Sequence, residues 1–121
     1  MANLSDKKIV DRVKETSTSS GTGDYSLNGA AVGFITFASV CQNNDVFDYA
    51  VNEIGGAKWE TGLGRYNSAT NTVTRLEIQA SSNNNQAVNW TTEFKVIFIS
   101  LNATSIIQIS EELLLNSLVF S

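Results

Sequence analysis

Histidine and proline are both missing from the 121 residues, and cysteine occurs once. Without histidine, the commonest general base and the commonest metal ligand are gone. The single Cys41 excludes an intrachain disulfide and a cysteine-based metal site. Set in Phe37-Ala38-Ser39-Val40-Cys41, it reads as a small buried hydrophobe. No apolar run approaches the ~20 residues that a membrane-spanning helix needs. The opening Met1-Ala2-Asn3-Leu4-Ser5-Asp6-Lys7 lacks the apolar stretch of a secretory signal, so assembly in a cytosol is expected. Cations are scarce, with eight Lys and Arg against twelve Asp and Glu. A mildly acidic chain has no electrostatic footprint for phosphates, which argues against nucleic acid as a partner. Lys7, Lys8, Arg12 and Lys14 cluster near the start, and a cluster of that size reads as a solvated face. Nothing in the sequence explains the missing proline.

What is present points to strands. Asn, Ser and Thr are abundant and aromatics are spread through the middle, a composition that suits turns and sheets over helix interiors. Residues 8–15 are ambiguous between a short helix and a first strand, and residues 16–24 form a polar, Gly-containing link to Tyr25-Ser26-Leu27. Asn28-Gly29 turns the chain. Gly33 to Val40 is apolar on both alternating faces and is expected to be β. Val46 to Asn52, Lys58 to Tyr66, Thr72 to Ala80 and Glu93 to Leu101 read as further strands, parted by Asn-, Ser- and Gly-rich turns. Gly62 and Gly64 inside the second of these suggest a bulge or a close backbone approach. The last is apolar on both faces from Val96 onward and should be central. At this length one domain can bury its own core, so the expectation is all-β: an antiparallel sandwich or barrel with a short C-terminal apolar tail, helix or strand.

No catalytic set survives inspection. Serine is plentiful, but nothing activates it. Glu60, Glu77, Asp45 and Asp48 could lie near one another, yet acidic pairs arise by chance on any acidic surface. Asp45-Val46-Phe47-Asp48 lacks the spacing of a calcium loop, and Gly21-Thr22-Gly23 and Gly62-Leu63-Gly64 lack the context of a nucleotide loop. Trp59, Tyr66 and Trp90 could stack on a sugar, but aromatics in strands are more often core. Glu60 and Arg65 could pair at a surface, and Arg75 is the best candidate for a partly buried charge pair. The chain is expected to be catalytically silent, with no cofactor and no metal, and with Trp59 and Trp90 buried.

Four strings occur in order: residues 11–23 (DRVKETSTSSGTG), Trp59-Glu60-Thr61-Gly62-Leu63-Gly64-Arg65-Tyr66, Val73-Thr74-Arg75 and Ala80-Ser81-Ser82-Asn83. Together they resemble a module common in tailed-bacteriophage virion proteins, often at the N-terminus of tail-fibre or tail-associated proteins. The resemblance covers about residues 9–103. It implies a β-rich virion-attachment module, commonly followed by a receptor-binding extension. Here only an apolar segment follows where a fibre shaft would stand, which fits a stand-alone tail component, an adaptor or a capsid decoration protein.

The chain is therefore divided into an attachment module, residues 1–103, and an apolar assembly segment, residues 104–121. In the latter, Ile106, Ile107, Ile109, Leu113, Leu114, Leu118, Val119 and Phe120 form a candidate assembly interface, with Glu111 and Glu112 as the only charges. The competing reading has this tail fold back over one face of its own sheet. Expected partners are other virion proteins, in tail or capsid, and further copies in a homo-oligomer. A host surface receptor or a carbohydrate comes behind these.

Overall fold

A computed structural model describes residues 7–106. These form β1 (Lys14–Ser17), β2 (Tyr25–Ser26), α1 (Phe37–Val40), β3 (Val46–Glu53), β4 (Trp59–Asn67), β5 (Thr72–Ser81) and β6 (Lys95–Ile99). The strands make one antiparallel sheet in the order β1-β6-β3-β4-β5-β2. Beyond β2 the chain crosses to β1: the Asn28 amide donates to the Thr16 carbonyl, and the Thr16 and Ala31 amides donate to Gly29 and Lys14. Those bonds bring the two sheet edges together, giving the nearly closed six-stranded barrel that the alternating pattern leads one to expect.

Alternation assigns the two faces. On β3, Phe47, Tyr49 and Val51 point inward and are buried, with Tyr25, Tyr66, Val73, Trp90 and Ile97 around them. Phe37 and Phe47 rings meet at 5.2 Å, and Tyr25 lies edge-on to both Tyr49 and Trp90. The turns fall where the Asn-rich runs lie, with Asn44, Asn71, Asn84 and Asn85 in the left-handed region that Asn tolerates.

The expected irregularity at Gly62 and Gly64 is present. The β4–β5 register slips between Thr61 and Gly62 and again between Leu63 and Gly64, leaving Gln79 and Leu76 as the extra residues of β5. A Cβ at Gly62 would stand 2.7 Å from the Tyr49 hydroxyl, and one at Gly64 would meet Val73 at 2.7 Å and the Tyr49 ring at 3.1 Å. The glycines therefore clear the space that the Tyr49 ring fills inside the barrel.

Three expectations need correcting. Residues 33–40 are not a strand: Thr36 caps a single helical turn, its Oγ1 accepting from the Ser39 amide, and only Phe37 of that turn is buried. The local pattern lost to a tertiary contact, because buried Glu15 accepts the Phe37 amide at 2.8 Å and holds the turn against the barrel. Trp59 is 42% exposed, since it occupies an outward position of β4, whereas Trp90 is 3% exposed as expected. Lys7 does not join a solvated face; it is buried against Asp48. β6 is an interior strand of the sheet, but its outward residues Val96 and Phe98 remain partly open.

Candidate functional site

Two charged and three aromatic residues converge on one interior cluster. Glu60 enters from β4 and Arg75 from β5, both on the inward face. The Arg75 guanidinium grips the Glu60 carboxylate with two nitrogens: Nε lies 2.9 Å from Oε2, and Nη2 contacts Oε1. Tyr25 and Tyr49 hydroxyls donate to the same Oε2 at 2.7 and 2.6 Å, and the Val88 amide donates to Oε1 at 2.9 Å. Trp90 Nε1 donates to the Tyr25 hydroxyl at 2.8 Å, and Arg75 lies over the Tyr25 ring. The remaining guanidinium hydrogens go to the carbonyls of Gly21, Gly23 and Val88.

This arrangement decides the protonation states. Burial alone would raise the Glu60 carboxyl. Hydrogen bonds from Arg75, Tyr49, Val88 and Tyr25 outweigh it and hold the group below its ordinary value. Burial, then the Glu60 charge, pushes Tyr25 and Tyr49 above the ordinary phenol range. Glu60 is thus an anion saturated by donors, with both oxygens engaged. A general acid or base needs an available proton site facing a substrate, and here that site is filled by the protein itself. The charge pair predicted for Arg75 is present, but Glu60 pairs with Arg75 and not with Arg65, which is exposed.

A second cluster ties the outside of the barrel to Lys7 and to residues 102–105. Asp48 points outward from β3 yet is buried beneath Lys7 and Asn102. Lys7 Nζ donates to Asp48 Oδ1 at 3.3 Å and to Ser105 Oγ at 2.7 Å. The Asn102 amide donates to Asp48 Oδ2, and its side-chain nitrogen donates to the carbonyls of Tyr49 and Gly62 and to Gln79 Oε1. Asn102 therefore pins the chain across β3, β4 and the bulge of β5. Residues 103–106 form a helical turn.

The other acids do not gather into a site. Asp45 faces Lys8 at 4.0 Å, and Glu77 is exposed on the outer side of β5. Among the described residues no group of three or more Cys, Asp and Glu could hold a metal ion. Cys41 is buried and free, its thiol pushed up to about 11 by burial and then by the charge of Asp45. Of the candidate assembly residues, Ile106 is half exposed; Ile107, Ile109, Leu113, Leu114, Leu118, Val119 and Phe120 lie outside the described residues.

Sequence reasoning missed an apolar outer face. The register sets Phe94 beside Ile54, whose amide donates to the Phe94 carbonyl; Val96 opposite Asn52, itself opposite Trp59; and Phe98 opposite Ala50. Lys14 pairs with Phe98 from β1, its ammonium 4.4 Å from the Phe34 ring and 5.0 Å from that of Phe98. Phe94 is 65% and Ile54 53% exposed. The signal was in the sequence: β6 is apolar at every position from Val96 to Ile99, and a barrel strand needs only one apolar face. No family model, no curated protein and no solved structure matches this chain.

Proposed function

We propose that this chain is a structural protein of a tailed-bacteriophage virion, tail-associated as a fibre, fibre anchor or adaptor, acting by docking and self-association. The observation that supports this reading is where the four strings go. Gly21 and Gly23, Glu60, Tyr66, Val73, Arg75 and Ser81 come from strings separated along the chain, yet all meet in the barrel wall and its interior. They build a frame, so the pattern that carries the resemblance describes a scaffold and not a reaction site. A scaffold whose charged interior is saturated works through its surface, and virion positions are filled by symmetric copies.

The alternative is a capsid decoration protein, which the same scaffold would serve. Mass spectrometry of purified virions, with copy number counted against known head and tail proteins, tests the proposal. A stoichiometry matching a tail ring or fibre supports it. Hundreds of copies per particle would move the assignment to the capsid, and absence from the virion would end both readings. Glycan binding has one favourable observation, the exposed Trp59. A glycan array that gives signal lost on Trp59→Ala would make receptor recognition the better account.

A further inference from the structure

The barrel core leaves the apolar outer face uncovered, and past Ile106 the sequence continues with a strongly apolar segment. We infer that residues 107–121 of the same chain lie across the outer face of β6, β3 and β4 and cover it. The inference holds whatever the chain's place in a virion.

The outer face is apolar on either side of exposed Asn52. Its outward positions are Val96 and Phe98 on β6 with Phe94 just before it, Ala50 and Asn52 on β3 with Ile54 just after it, and Trp59 on β4. Exposed apolar patches of this kind are uncommon on a soluble monomer unless something covers them. The point of departure is fixed. Asn102 is buried against Asp48, the next outward residue of β3 after Ala50, and buried Ser105 accepts from Lys7, which also donates to Asp48. Ile106 thus leaves the barrel on the outer side, at the border of the open face.

Reach agrees. From Asp48 to Ile54 the face runs six residues, ~20 Å at ~3.3 Å per residue. From β4 to β1 it spans three strand gaps, ~14 Å at ~4.8 Å each. The segment 107–121 covers ~22 Å even in the compact case of a helix.

Charge agrees as well. On the β1 side the rim carries Arg12 and Lys14, which lie over Phe34 and form no salt bridge among the described residues. The charges in the segment are Glu111 and Glu112, five and six residues beyond Ile106 and within reach of that rim. A tether held by Asn102 keeps the segment at high effective concentration over its own barrel, which favours it over the same segment from another copy.

Acrylamide quenching of the full chain tests this, because buried Trp90 is protected from the quencher and the quenchable fraction reports Trp59. The parent should show Trp59 shielded, with shielding unchanged on dilution. Leu114→Asp with Leu118→Asp in the full chain should raise the quenching constant several-fold and add binding of an apolar dye, with the far-UV spectrum preserved. Glu111→Lys with Glu112→Lys should do so partially. A parent in which Trp59 is already fully accessible overturns the inference, as does a Leu variant that quenches like the parent. Shielding that disappears on dilution assigns the cover to a second copy and overturns it too.

Discussion

The inside and the outside of this barrel use the same strands in opposite ways. Inward, β4 and β5 contribute a carboxylate and a guanidinium whose every polar contact is met. Outward, Trp59 on β4, Ile54 just after β3 and Phe94 just before β6 stand 42–65% exposed. Water should have favoured the reverse, with charge outside and apolar groups inside. The inversion shows which demands override partition. A buried ion pair is tolerated when hydrogen bonds satisfy it completely, and it then specifies one arrangement of the strands that bring it together. An outward apolar face persists where something docks on it.

Breaking the inner half should have the largest effect. Arg75→Ala strands a fully buried Glu60 carboxylate, and removing one partner of a buried pair costs about 3–5 kcal/mol. Chemical denaturation should show a loss of that size, enough to unfold a marginal domain near physiological temperature.

The two tryptophans sharpen the contrast. Trp90→Ala removes a buried ring and the donor to Tyr25, and should cost ~3–5 kcal/mol. Trp59→Ala should cost clearly less in the same melt, because its ring packs on the outer face and not in the barrel core. Equal losses would mean that inside and outside have been assigned wrongly. Gly64→Ala should fall between, at roughly 1–3 kcal/mol, from the crowding of Tyr49 and Val73.

Titration reads the inner network from both ends. The Glu60 carboxyl is held below its free value of 4.5 in the fold. Its contribution is therefore present above that value and is lost as pH falls through the lower, folded value. Tyr25 and Tyr49 are raised above 10.0, so their contribution is present below that value and fades as pH climbs past it. Stability measured against pH should form a plateau that falls at both ends, with Tyr49→Phe flattening the alkaline limb. The smallest effect concerns Cys41, which should resist alkylation at neutral pH until the chain unfolds.

Much of the barrel was legible in the sequence. Period-two alternation marked β3 and β5, an apolar run marked β6, Asn-rich runs marked the turns, and the paired glycines marked the slips between β4 and β5. Arg75 was the residue expected in a partly buried charge pair, and it forms one. Partners were not legible, because they depend on which strands become neighbours. Nothing in the order of residues tells that Glu60 meets Arg75 across two bulges rather than Arg65 along its own strand. The same holds for Glu15 capturing the turn at Phe37, and for Lys7 reaching Asp48 and Ser105. Trp59 was misread because alternation gives two faces without saying which one is the interior. The answer came from Glu60, a charge on the buried side.

The central claim is that Glu60 and Arg75 act as one structural unit locking the barrel wall. A double-mutant cycle with Glu60→Leu, Arg75→Met and the pair tests it most directly, with each stability taken from urea denaturation. Each single change should be severely destabilising, and the double variant should recover much of the loss, since apolar groups of similar volume leave no charge unpaired. Coupling of 2 kcal/mol or more is expected, within the range of roughly 0.5–3 kcal/mol seen for contacting residues. Single losses that add to within ~0.5 kcal/mol would show two independent residues and contradict the account.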